Sequence, residues 1–111
     1  MTQDEEYDIA FNVILHAGNA RELFIEAIRE ARKGDFEEAK KLMKDGDSEL
    51  NQAHKIQTDL LQGEARGNKV NFSVIFVHSQ DHLTMALTTK ELAQEMIDSF
   101  KFFYEKGGQI I

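Results

Sequence analysis

A chain of 111 residues, 41% hydrophobic and 30% charged, holds enough material for one compact domain, residues 1–111, and not for two. A net charge of −7 argues against nucleic acid and anionic membrane surfaces, which call for a basic face, and the lack of cysteine excludes disulfides, thiolate nucleophiles and thiolate zinc sites. The acidic opening Met1-Thr2-Gln3-Asp4-Glu5-Glu6 has no apolar core of a signal peptide, and no apolar run approaches a membrane span, so a cytoplasmic protein is expected.

There is also no proline, hence no obligatory helix breaker. From about residue 5 to residue 33, Ile9, Val13, Ala17, Ala20, Phe24, Ala27 and Ala31 recur at helical spacing and predict a first helix. Gly18 and its small neighbours suggest the close approach of another helix. His16, beside the stripe, reads as a rim histidine with a hydrogen-bond partner. Gly34 stops this helix, and Asp35 starts the next as an N-cap, with Glu38 placed to reach back as in a capping box.

In the second helix Phe36, Ala39, Met43, Gly46, Leu50, Ala53, Gln57 and Leu60 alternate steps of three and four, the seam of a bundle. Gln57 is the polar residue in that seam. Residues 63–68, with two glycines, read as a loop. Val70, Phe72, Val74 and Phe76 alternate as a strand would, but a lone strand has nothing to pair with. A third helix is therefore predicted from near Asn71, capped by Asn71 or Ser73, to about Tyr104. Ile75, Ala86, Ala93, Ile97 and Phe100 give it a second apolar strip, and a tail from Gly107 to Ile111 is expected to fray. The fold class is all-α: an antiparallel up-down-up three-helix bundle with its two turns at opposite ends.

The chain is organised around Val74-Ile75-Phe76-Val77-His78-Ser79-Gln80-Asp81-His82-Leu83. On a helix His78, Asp81 and His82 leave one face within a single turn. The same face reads Val74, His78, Asp81, Met85, Thr88, Leu92, a heptad-like stripe with an imidazole and a carboxylate at apolar positions. Residue chemistry alone leaves four readings. His78 and His82 at i, i+4 can grip zinc, without a third ligand nearby. Acid–base hydrolysis needs a concavity that a small bundle barely offers. A neutral imidazole can accept a phosphoryl group and pass it on, with Ser79, Gln80 and His82 as donors to its oxygens. A His–Asp pair can simply hold a bundle in register.

The segment Val77-His78-Ser79-Gln80-Asp81-His82-Leu83 resembles the signature of the lactose/cellobiose-specific enzyme IIA components of the bacterial sugar phosphotransferase system. Ala17-Gly18-Asn19-Ala20-Arg21, Gly34-Asp35-Phe36 and Ala53-His54-Lys55-Ile56-Gln57-Thr58 resemble that family at the same relative places. The likeness spans roughly residues 8 to 105. It departs at Ser79, where a small Ala or Gly is common, and at Thr84-Met85, where the reverse order is typical.

The resemblance implies a three-helix subunit that forms a homotrimer. It implies that His78 carries the phosphoryl group at Nε2, received from HPr and handed to a cysteine of enzyme IIB, during uptake of a β-linked disaccharide of the cellobiose, lactose or chitobiose type. Asp81 matches the carboxylate that meets its symmetry mates around a divalent cation, taken as magnesium. Gln80, His82 and Gln57 match site neighbours. Like charges meeting on an oligomer seam need a cation, and an all-oxygen ligand set suits magnesium. The rival class is a non-catalytic helical interaction module with a structural His–Asp pair.

Overall fold

The computed structural model describes residues 1–71 and 73–109. Three helices make up the fold: α1 (Gln3–Arg32), α2 (Phe36–Ala65) and α3 (Val74–Glu105). They lie side by side in a rod of 58 × 21 × 18 Å, and the described residues contain no strand. None of the helices is long and apolar enough to cross a membrane. The all-α, up-down-up reading of the sequence is correct.

Each helix begins where a side chain can satisfy its free amides. Thr2 opens α1, accepting from the amide of Glu5 while the Glu5 side chain returns a bond to Thr2. The helix thus begins at Gln3, about two residues before the predicted start. Asp35 caps α2 by accepting from Glu38 N at 3.1 Å. Between the two, Gly34 takes φ +90° and the amide of Asp35 bonds the carbonyl of Glu30, a glycine C-terminal motif that reverses the chain in three residues. α1 and α2 are therefore antiparallel neighbours.

Sequence and structure part at three points. The loop expected over residues 63–68 begins only at Arg66, because α2 continues through Gly63 to Ala65; the carbonyl of Gly63 accepts from the amides of Arg66 and Asn68 where the helix ends. α3 starts at Val74 with Ser73, not Asn71, as its cap. Phe72, part of the strand-like alternation, and Ile111, the end of the tail expected to fray, lie outside the described residues. Gly18 meets no close neighbour, since a Cβ there would find nothing within 4 Å. The close approach is at Gly46, where a Cβ would sit 2.5 Å from the ring of Phe24.

Phe24 is fully buried, and burial of so large a ring is worth about 1.5–3 kcal/mol. Around it the core is mostly alanine: Ala17, Ala20, Ala27 and Ala31 from α1, Ala39 and Ala53 from α2, Ala86 and Ala93 from α3. Small side chains let the helices come close, with Met43, Leu50, Leu83 and Ile97 filling between them. α1 packs along both other helices, whereas α2 and α3 meet only sparsely.

The rotation of α3 decides where the site faces. Its buried residues are Phe76, Ser79, Leu83, Ala86, Ala93 and Ile97. The heptad-like stripe from Val74 to Leu92 consequently faces away from its own bundle, with Val74 88%, Met85 45% and Leu92 59% exposed. His78 and Asp81 do not interrupt this chain's core. They interrupt an apolar band on its surface.

Candidate functional site

The first turns of α3 carry the site. Phe76 and Ser79 are buried on either side of His78, so the helix is anchored with the imidazole directed outward. Ser79 is fully buried and donates its hydroxyl to the carbonyl of Phe76 at 2.7 Å. It therefore cannot donate to a group bound at His78, which corrects the role the sequence suggested for it. The bond back to a carbonyl of the preceding turn is the usual refuge of a buried serine in a helix.

His78 is exposed and His82 half-buried. Their Nε2 atoms are 3.1 Å apart, and the rings meet edge to face, with centroids 4.6 Å apart and planes at 89°. A hydrogen bond at that distance between two ring nitrogens uses a single proton, so one Nε2 donates and the other keeps its lone pair. With His82 as donor, His78 holds an unprotonated Nε2 and carries its own proton on Nδ1. That is the form a nucleophilic imidazole requires.

Asp81 is exposed and shares an open hollow with Ser73, Val74, Val77 and His78. The hydrogen-bond partner of His78 among the described residues is His82 and not Asp81, so the register-holding His–Asp pair is not formed within this chain. The donor set also bears on metals. No group of three or more His, Asp or Glu able to hold an ion occurs among the described residues. Asp81 contributes one hard oxygen ligand, which suits a magnesium-like cation only if further copies supply the rest.

The remaining site candidates lie around the corner. Gln57 and Gln80 line a groove of about 350 Å³ between the end of α2 and the start of α3, walled by Leu60, Leu61, Phe76 and Val77. Gln57 Oε1 is buried there without a donor. Val77 lines both this groove and the hollow at His78. The structure thus joins His78 to His82 and Asp81 directly, and to Gln57 and Gln80 only through a shared wall. His16 stands apart, its Nδ1 2.6 Å from a Glu49 carboxylate oxygen across α1 and α2, as expected of a rim histidine. Sequence reasoning did not find Glu49, because nothing local marks a partner 33 residues away.

Comparison with known proteins gives the same direction. The model of the family described as "PTS system, Lactose/Cellobiose specific IIA subunit" matches residues 8–101. The lichenan-specific phosphotransferase enzyme IIA component of Bacillus subtilis (strain 168) is 44% identical over 108 residues, covering 97% of this chain and 98% of that protein. The crystal structure of the PTS cellobiose-specific enzyme IIA from Bacillus anthracis superposes with a TM-score of 0.88 at 45% identity, over 96% of this chain and 95% of that one. A chain in the solution structures of the IIA(chitobiose)–HPr complex of the Escherichia coli phosphotransferase system superposes with a TM-score of 0.77 at 34% identity, over 94% and 99%. With its signature histidine on the open face of α3, this chain belongs to the lactose/cellobiose-specific IIA subunits of the phosphotransferase system.

Proposed function

We propose that residues 1–111 act as one cytoplasmic phosphocarrier domain, which accepts a phosphoryl group from phospho-HPr on His78 and passes it to a cysteine of enzyme IIB during uptake of a β-linked disaccharide. The observation that carries this is the exposed His78 ring, with its Nε2 set 3.1 Å from that of His82. The complex of a related IIA with HPr supports HPr as donor.

In the first transfer the Nε2 lone pair of His78 attacks phosphorus in line. The P–N bond to the donor histidine breaks, and its electron pair returns to that ring. In the second, a thiolate of enzyme IIB attacks, and the pair of the breaking P–N bond returns to Nε2 of His78. Nδ1 of His78 keeps its proton throughout. His82 holds the resting lone pair in place, then turns its N–H toward a phosphoryl oxygen once Nε2 is occupied. Gln80 and Gln57 support the docked partner from the neighbouring groove. Loose transition states of this kind need positioning and charge stabilisation more than covalent help.

The working unit in this reading is a homotrimer. Val74, Met85, Leu92 and Met96 on α3 and Phe11 and Leu15 on α1 are exposed apolar side chains that association would bury. Asp81 from three chains would hold the magnesium ion, whose contribution is to neutralise converging carboxylates.

Mixing the phosphorylated protein with enzyme IIB tests the carrier role. Phosphate should leave His78 and appear on the cysteine, and a phosphoprotein that keeps its label in the presence of active IIB would defeat it.

A further inference from the structure

The two histidines also offer two of the four ligands of a tetrahedral metal ion. Zinc holds imidazole nitrogens at about 2.0–2.1 Å, so two of them at a tetrahedral angle sit about 3.3–3.4 Å from each other. His78 Nε2 and His82 Nε2 are already 3.1 Å apart. Parting by a few tenths of an ångström, with a turn of each ring, opens a place for one ion between them. The i, i+4 relationship on a regular helix fixes both backbones beforehand, and the exposure of His78 leaves a way in.

We infer that His78 and His82 bind one transition-metal ion of the zinc class per chain, and that this ion and a phosphoryl group exclude each other at His78. Both need the same Nε2 lone pair. On binding, the proton shared by the two Nε2 atoms moves to Nδ1 of His82, and each Nε2 donates its pair to the metal with no change of oxidation state. Since no third His, Asp or Glu joins them among the described residues, water completes the shell and the ion exchanges readily. Magnesium does not compete, because it prefers oxygen and keeps its own waters. The metal half stands on geometry alone; the exclusion half rests on the proposed phosphocarrier role.

Calorimetric titration of the untagged full-length protein with zinc chloride, in a buffer that does not chelate, decides the matter. One ion per chain is expected, lost in His78→Ala and weakened at least about tenfold in His82→Ala, while a His16→Gln/His54→Gln variant binds as wild type. Both critical positions lie on the surface of α3, and circular dichroism checks that each variant remains helical. Wild-type affinity in His82→Ala, or loss of binding in the His16/His54 variant, overturns the site. The phosphorylated protein should bind zinc at least about tenfold more weakly than the free one, by linkage; equal affinities overturn the exclusion. A protein that takes up no phosphate would instead sink the carrier reading, and the zinc titrations would still decide the metal site.

Discussion

The hydroxyl of Tyr104 donates to the main-chain carbonyl of Arg32 at 2.7 Å, and the bond closes the end of the bundle farthest from His78. That carbonyl is one of those a helix C-terminus leaves unpaired. The Tyr104 ring also meets Phe36 edge to face at 5.7 Å and lies against Gly34 in the turn, so a single side chain ties all three helices.

Tyr104→Phe keeps the ring and removes the bond. It should lower unfolding free energy by about 1 kcal/mol, read from urea denaturation, while phosphoryl uptake at the other end is unchanged. An unaltered midpoint would show that water replaces the hydroxyl without cost.

Gly46 and Gly18 should respond in opposite directions to the same substitution. At Gly46 a methyl meets the fully buried ring of Phe24. Overpacking of about 1–3 kcal/mol exceeds the helix propensity gained, about 1 kcal/mol, so Gly46→Ala lowers the melting temperature. Gly18→Ala meets nothing within its own chain and should raise stability by up to about 1 kcal/mol. Thermal denaturation of both variants checks the pair, and a destabilised Gly18→Ala would show that a second chain packs on that face.

Asp81 sits on the exposed apolar stripe of α3, where three copies would repel without a cation. Sedimentation should give a mass of about three chains for the wild type. Asp81→Leu should keep that mass and end any stabilisation by magnesium, because the leucine extends the stripe. Monomers of that variant would remove Asp81 from the oligomer axis.

The reach of the sequence followed the range of the forces involved. The Asp35 cap, the Gly34 turn and the three-four spacing of α2 are local features, legible together with the helix count, whereas the Thr2 cap of α1 is not read from the sequence and that of α3 is left between Asn71 and Ser73. The facing of α3 was harder to read. It has two apolar strips, and both satisfy helical spacing. The strip of Ala86, Ala93 and Ile97 packs inward because its small residues let α1 approach, which leaves His78 and Asp81 on the outside. Ser79 is buried for the same reason. Its polarity suggests solvent, while its place beside Phe76 on the inner strip buries it. The Gly18 and Gly46 assignments depend on which helix lies opposite, and no local signal carries that. Contacts distant along the chain, such as His16 with Glu49 and Tyr104 with Arg32, left no mark in the sequence.

The carrier role stands or falls with phosphoryl acceptance at His78. Incubation with phosphoenolpyruvate and the general phosphotransferase proteins, followed by mass mapping under neutral conditions, measures it. One acid-labile phosphate per chain on His78, absent in His78→Ala, is the predicted result; an unmodified wild type, or a phosphate that persists in His78→Ala, would contradict it.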